Sequence, residues 1–183
     1  MEFIIFLTER CNLACTYCGE GQARAGVQQD VTYDPAVLID FLRQAPDVGL
    51  HLYGGEPLLN LPLLQEILQH VPSANVTVQT NGLLLDRLPE DVWDAISLLS
   101  VSLDGPPETT NHFRGEGVQE RVLAQVAELR RRGFPHEIHA RMTTTPGVDI
   151  YDAVTYFVER CPCTFAAVHG QLYVLFDAND DWH

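Results

Sequence analysis

No stretch of this 183-residue chain approaches 18 consecutive apolar residues, so nothing in it reads as a membrane span. No charged leader, apolar core and cleavage site precede the first apolar run, and a cytoplasmic protein is expected. Cations are scarce: 11 Lys and Arg stand against 25 Asp and Glu, a formal net charge of −14. Such a surface repels nucleic-acid backbones and argues against a DNA- or RNA-binding role. The acid excess reads first as a solubility or high-salt adaptation, with a basic peptide partner as the sharper alternative. Low-complexity segments and long charge blocks are absent. Residues 1–176 read as one domain with room for a real core. Residues 177–183 form an acidic end that is either loose or leads into further sequence. Cysteines are few and odd in number, five in all, which fits a reducing compartment better than a disulfide framework.

Three of those five lie close together, as Cys11, Cys15 and Cys18, directly after the apolar run Phe3-Ile4-Ile5-Phe6-Leu7. Three thiolates on one tight loop suit a cubane iron–sulfur cluster with three iron corners held and one open to a substrate or cofactor. A structural zinc site would need a fourth ligand, from Cys161, Cys163 or one of the seven histidines. A ferredoxin-type run would bring a fourth cysteine a few residues on, and residues 19–26 contain none.

Strand and helix patterns then alternate. Strands are predicted at about 2–8, 48–53, 75–80, 97–103 and 136–143, with a sixth inside 164–176. In that last stretch Phe165–His169 and Leu172–Phe176 compete for the register. Asp34-Pro35 reads as an N-cap with proline at the first helical position, opening a helix whose apolar face is Val37, Leu38, Phe41 and Leu42. A second helix from near Asn60 buries Leu64, Ile67 and Leu68. A short one after Pro89 carries Val92, Trp93 and Ile96. A longer helix over about 117–132 spaces Val122, Val126 and Leu129 inward and ends on Arg130-Arg131-Arg132-Gly133, with positive charge at the negative end of its dipole. A fifth helix is predicted at about 150–160. This alternation implies an α/β fold with a parallel sheet and right-handed crossovers.

Four short motifs follow four successive predicted strands. They are the cysteine loop with Tyr17 before its last cysteine, Gly54-Gly55-Glu56-Pro57, Thr80-Asn81-Gly82, and Ser102-Leu103-Asp104-Gly105. In kind and order they resemble the radical S-adenosylmethionine (SAM) superfamily over nearly the whole chain. The resemblance implies a partial (β/α)6 barrel with helices outside and the site at the carboxyl ends of the strands. It implies that Cys11, Cys15 and Cys18 hold a [4Fe–4S] cluster whose fourth iron is chelated by the amino and carboxylate groups of SAM. One electron then breaks the sulfonium C–S bond, and the resulting 5′-deoxyadenosyl radical takes a hydrogen atom from a substrate. A flavodoxin or ferredoxin is the implied electron donor.

The same resemblance assigns contacts to that cofactor. Gly54 and Gly55, lacking Cβ, let backbone approach the methionine portion, and Glu56 accepts from its ammonium group. Tyr17 packs near the adenine, or is a core aromatic under the loop. Asn81 and Ser102 offer polar contacts to ribose or carboxylate. Thr80 and Asp104 do the same or cap strand ends. Arg121 and Arg141 are the candidate cations for the methionine carboxylate, with ordinary salt bridges as the plain alternative. Cys161 and Cys163 are either auxiliary cluster ligands or small packing residues.

Ser102–Pro106, His112-Phe113-Arg114-Gly115 and Arg121-Val122-Leu123 resemble the branch that modifies peptides and proteins, and the stretch from Gln79 to Asp104 is similar to a mainly archaeal subgroup within it. A peptide or protein substrate is therefore expected. Many relatives in that branch carry a cysteine-rich C-terminal extension that this sequence lacks. The competing readings are a small-molecule enzyme, like the 7-carboxy-7-deazaguanine synthases or the activases of glycyl-radical enzymes, and a non-catalytic iron–sulfur or zinc module.

Overall fold

The computed structural model describes residues 1–18, 29–45, 47–73, 75–162 and 164–172. Six strands form one parallel sheet in sequential order: β1 (Glu2–Phe6), β2 (Gly49–Tyr53), β3 (Asn75–Thr80), β4 (Leu98–Ser102), β5 (Glu137–Thr144) and β6 (Ala167–Leu172). The helices are α1 (Pro35–Arg43), α2 (Leu61–His70), α3 (Pro107–Arg114), α4 (Val118–Arg131) and α5 (Ile150–Arg160). Parallel strands added always on the same side put the described helices on one face of the sheet, because such crossovers share one hand. This is the radical-SAM-type α/β architecture that the alternation and motifs predict. None of the described helices is long and apolar enough to cross a membrane.

The two faces differ accordingly. Toward the helices point Ile5, Leu50, Leu52, Val76, Val78, Leu99, Val101, Ile138, Ala140 and Met142, all buried. They pack on Leu64, Ile67, Val122, Val126, Leu129 and Phe157 of the helices. The other face carries Phe6 beside Tyr53, Gln79 beside Ser100, and Ser102 beside Arg141 beside His169. None of the described helices covers it: Ile4 is 65% and Phe6 46% exposed.

Local chemistry sets the helix starts. The Asp34 side chain accepts from Ala36 N at 3.0 Å with Pro35 next in line, and Asp149 accepts from Tyr151 N at 2.8 Å. Four features differ from the sequence pattern. On α1 the expected inward face is wrong in part: Ile39 and Leu42 are buried, whereas Val37 is 67% and Phe41 56% exposed. Phe41 instead meets Phe3 edge-on at 5.6 Å, because α1 packs near the edge of the sheet. The segment after Pro89 and the segment Pro57–Asn60 are 3-10 turns. Helix α3 has no apolar stripe, and its inward residues are Thr110 and Arg114, one turn apart. β6 spans the two competing registers, the remainder of the second lying outside the described residues.

Candidate functional site

Every candidate motif leaves a strand at its carboxyl end, so the sheet gathers them on one rim. The chain leaves β1 and passes directly over the turn that follows β2. Gly55 N donates to Thr8 O at 2.9 Å, and Glu56 N donates to Arg10 O at 2.8 Å. A Cβ on Gly54, at φ +152°, would stand 2.3 Å from Thr8 O, and one on Gly55 would stand 2.4 Å from Arg10 O. The close approach that requires these glycines is made by the protein's own cysteine-loop backbone. The sequence reading gave that role to a cofactor.

Glu56 is fully buried, and both its oxygens are engaged. Oε1 accepts from Thr80 Oγ1 at 2.8 Å and from Leu58 N at 3.1 Å, and Oε2 accepts from Asn81 N at 2.7 Å. Burial pushes its pKa up to about 7, against the pull of those three donors. Its carboxylate thus braces the β2 turn to the β3 turn and has no face open to solvent. Thr80 is part of the same brace, and its Oγ1 also accepts from Gly82 N at 3.0 Å. Gly82 has φ +83°, and a Cβ there would meet Val122 at 2.7 Å.

Asn81 reaches the cysteines. Its Nδ2 donates to Asn12 Oδ1 at 2.7 Å and to Cys11 Sγ at 3.8 Å, while its Oδ1 accepts from Leu83 N at 3.0 Å. Cys11 Sγ also accepts from Leu13 N at 3.4 Å, and Cys18 N closes a turn onto Cys15 O at 3.0 Å. All three thiols are free and half-buried. Burial pushes the Cys15 thiol up to about 11, opposed chiefly by the Arg114 charge, and burial raises Cys11 as well.

Asp104 is fully buried and accepts four donors. They are Arg114 Nε at 2.7 Å and Tyr17 Oη at 2.7 Å on Oδ2, and Arg114 Nη2 at 2.8 Å and Thr143 N at 2.9 Å on Oδ1. The expectation that Asp104 contacts a cofactor meets a carboxylate already enclosed by protein. Arg114, itself 7% exposed, is a residue whose role the sequence reading missed. The signal was present in its Thr110–Arg114 spacing on one helical face.

Arg141 stands on the open face beside Ser102, which is 7% exposed. Among the described residues no carboxylate lies within ion-pair distance of its guanidinium. Burial and the nearby Arg114 push its pKa down, while Tyr53, Tyr17 and Asp104 pull it up, and burial dominates. Arg121 is different: it is exposed, and its Nε donates to Gly117 O of its own helix at 3.2 Å. Cys161 is a buried packing residue at the end of α5, and Cys163 lies outside the described residues. Deeper on the open face, Glu137 Oε2 contacts His139 Nε2 at 2.9 Å and His139 Nδ1 contacts His169 Nε2 at 2.8 Å.

The donor set fits an iron–sulfur cubane. The three sulfurs belong to one loop, and each thiolate takes its own iron. Among the described residues no three His, Cys, Asp or Glu side chains converge on a single-ion site, as a structural zinc would require. The hydrogen bonds to Cys11 Sγ are of the kind that tune such a cluster.

Comparison with known proteins agrees with this geometry. The chain is 36% identical over 146 residues to an AdoMet-dependent heme synthase of Methanosarcina barkeri, covering 75% of this chain and 41% of that one. It is 30% identical over 171 residues to a GTP 3′,8-cyclase of Geobacter sulfurreducens, covering 86% of this chain and 51% of that one. It therefore spans at most about half the length of these two curated relatives. Its fold matches the solved structure of native anSMEcpe with bound AdoMet and Kp18Cys peptide at a TM-score of 0.73, with 21% identity, over all of this chain and 54% of that one. The profile of the Radical SAM superfamily covers residues 5–156, and the chain belongs to that superfamily.

Proposed function

We propose that this chain is the core of a radical SAM enzyme that modifies a ribosomally made peptide or protein. When bound, the family's [4Fe–4S] cluster and SAM supply a 5′-deoxyadenosyl radical able to take a hydrogen atom from the substrate. Cys11, Cys15 and Cys18 hold the iron, leaving one corner for SAM. The backbone of the Gly54-Gly55 turn, with the Asn81 and Ser102 side chains, orients the methionine and ribose portions. Arg141, a cation without an ion-pair partner among the described residues, faces the carboxylate. Tyr17 lines the adenine side. Glu56, Thr80 and Asp104 act through these residues by fixing the turns that carry them. Arg121 stays a weaker candidate for the carboxylate, because its side chain is engaged on its own helix. A small electron-transfer protein of the flavodoxin or ferredoxin kind is the proposed donor.

The observation that carries the peptide reading is the open sheet. Strands β1 and β6 lie at opposite ends of the sheet, and among the described residues nothing joins them, so the described rim is open at the side. An extended polypeptide can cross such a mouth, while a small metabolite there would be poorly enclosed. A peptide-bound protein of the same fold supports this reading. A second reading has its own support, since curated relatives at about this similarity are GTP 3′,8-cyclases.

One experiment addresses both readings. The protein is reconstituted anaerobically with iron and sulfide and given SAM, a reductant, and either GTP or peptides encoded by neighbouring small reading frames. The expected result is 5′-deoxyadenosine with a mass change on a peptide. Efficient turnover of GTP replaces the peptide reading with the nucleotide reading. No deoxyadenosine from fully reconstituted protein removes both.

A further inference from the structure

The carboxylate of Asp104 gathers contacts from three separate parts of the chain. Two of its four donors come from Arg114 on α3, one is the backbone of Thr143 on β5, and one is Tyr17 Oη on the cysteine loop. Helix α3 also holds that loop directly, since Phe113 O accepts from Thr16 N at 2.9 Å. The Arg114 guanidinium lies 5.5 Å from the centre of the Tyr17 ring, and the Phe113 ring lies 5.4 Å from it. Thr16 and Tyr17 are the two residues between Cys15 and Cys18, so both are tied to one helix and its buried ion pair.

We propose that Arg114 is the positioning cation of the cysteine loop: held by Asp104, it fixes the Cys15–Cys18 turn through Tyr17. The inference rests on the radical SAM reading above. A buried ion pair is weak support for folding stability, because desolvation offsets much of the attraction. Its value here lies in what it orients. Both members of the pair also stand against Tyr17, next to Cys18, since Asp104 Oδ2 accepts from its hydroxyl at 2.7 Å and the Arg114 guanidinium lies over its ring. A cluster's reduction potential follows the net charge around it, so the two partners of this pair should act with opposite sign. Loss of Arg114 leaves Asp104 uncompensated and makes the cluster harder to reduce. Loss of the Asp104 charge leaves Arg114 uncompensated and makes it easier.

The test compares the reconstituted wild-type chain with Arg114→Gln, Arg114→Lys, Asp104→Asn and Tyr17→Phe. It measures iron and sulfide per chain and the reduction potential by EPR-monitored titration. Arg114→Gln strands a charge in the core and threatens folding, so Tyr17→Phe carries the mooring question and Arg114→Lys the charge question. Expected are a lower potential in Arg114→Gln, a higher one in Asp104→Asn, and partial restoration in Arg114→Lys. Tyr17→Phe should lose iron several-fold faster to a chelator at an unchanged melting temperature. A wild-type chain that takes up no iron overturns the proposed function, and this inference with it. A reconstituted wild type whose variants keep its potential and its rate of iron loss overturns this inference alone.

Discussion

Glu56 offers the sharpest test of the site's construction, because its energetics can be read without any cofactor. The group is fully buried with no cation beside it among the described residues, and its pKa rises from 4.5 to about 7 on folding. A raised carboxyl pKa means that the folded chain binds the proton more tightly than the unfolded chain. Its stability contribution is therefore present below the unfolded pKa and is lost as pH rises toward and through the folded one. Folding stability from this group should fall by about 2.5 kcal/mol between roughly pH 5 and pH 8, following the linkage relation at 1.36 kcal/mol per pKa step. For a chain of this length that is a shift of about 5–10 °C in melting temperature. Glu56→Gln removes the titration while keeping an oxygen for Thr80 and Leu58, at the cost of opposing donors at Asn81 N. The variant should be less stable at pH 5 by about 1–3 kcal/mol, the cost of a buried unpaired donor, with the gap narrowing or reversing by pH 8. Urea unfolding of iron-free wild type and variant, at four pH values between these limits, gives the comparison. Parallel stability curves would refute the buried, proton-binding brace.

Three further outcomes follow from the same geometry. Cys15→Ala should abolish cluster binding, where the wild type reconstitutes to about four irons per chain; iron analysis and the visible spectrum decide, and full iron retention would reject the ligand assignment. Gly55→Ala should displace the entry to the cysteine loop, because its Cβ would meet Arg10 O at 2.4 Å and Glu9 O at 2.6 Å; a loss above about 2 kcal/mol by denaturation, together with lowered iron, is expected from forced overpacking. Arg141→Ala should weaken SAM binding about tenfold or more by calorimetry while leaving the iron content unchanged, as expected for loss of a charged hydrogen bond worth roughly 1.5–3 kcal/mol; unchanged affinity would move the carboxylate contact elsewhere.

What the sequence determined by itself was the pattern of local, periodic signals. Apolar alternation marked five strands within a residue or two, three of them ending in glycine-bearing turns, because a strand covered by helices on one face needs β-branched and leucine residues at every second position. Three thiols at close spacing marked the candidate metal loop, since no other part of this chain gathers soft ligands so tightly. Helix α3 escaped notice because its inward face is Thr110 and Arg114 and carries no apolar stripe. The exposure of Val37 and Phe41 escaped for the converse reason, since an apolar side chain is buried only where a partner surface reaches it. Tertiary structure alone decided which polar residues are spent inside the protein. Glu56 and Asp104 sit in motifs that read as cofactor contacts, yet the Glu56 carboxylate joins the β2 and β3 turns and the Asp104 carboxylate joins the cysteine loop, α3 and β5. A carboxylate removed from water there must be satisfied by donors that only the folded chain brings together.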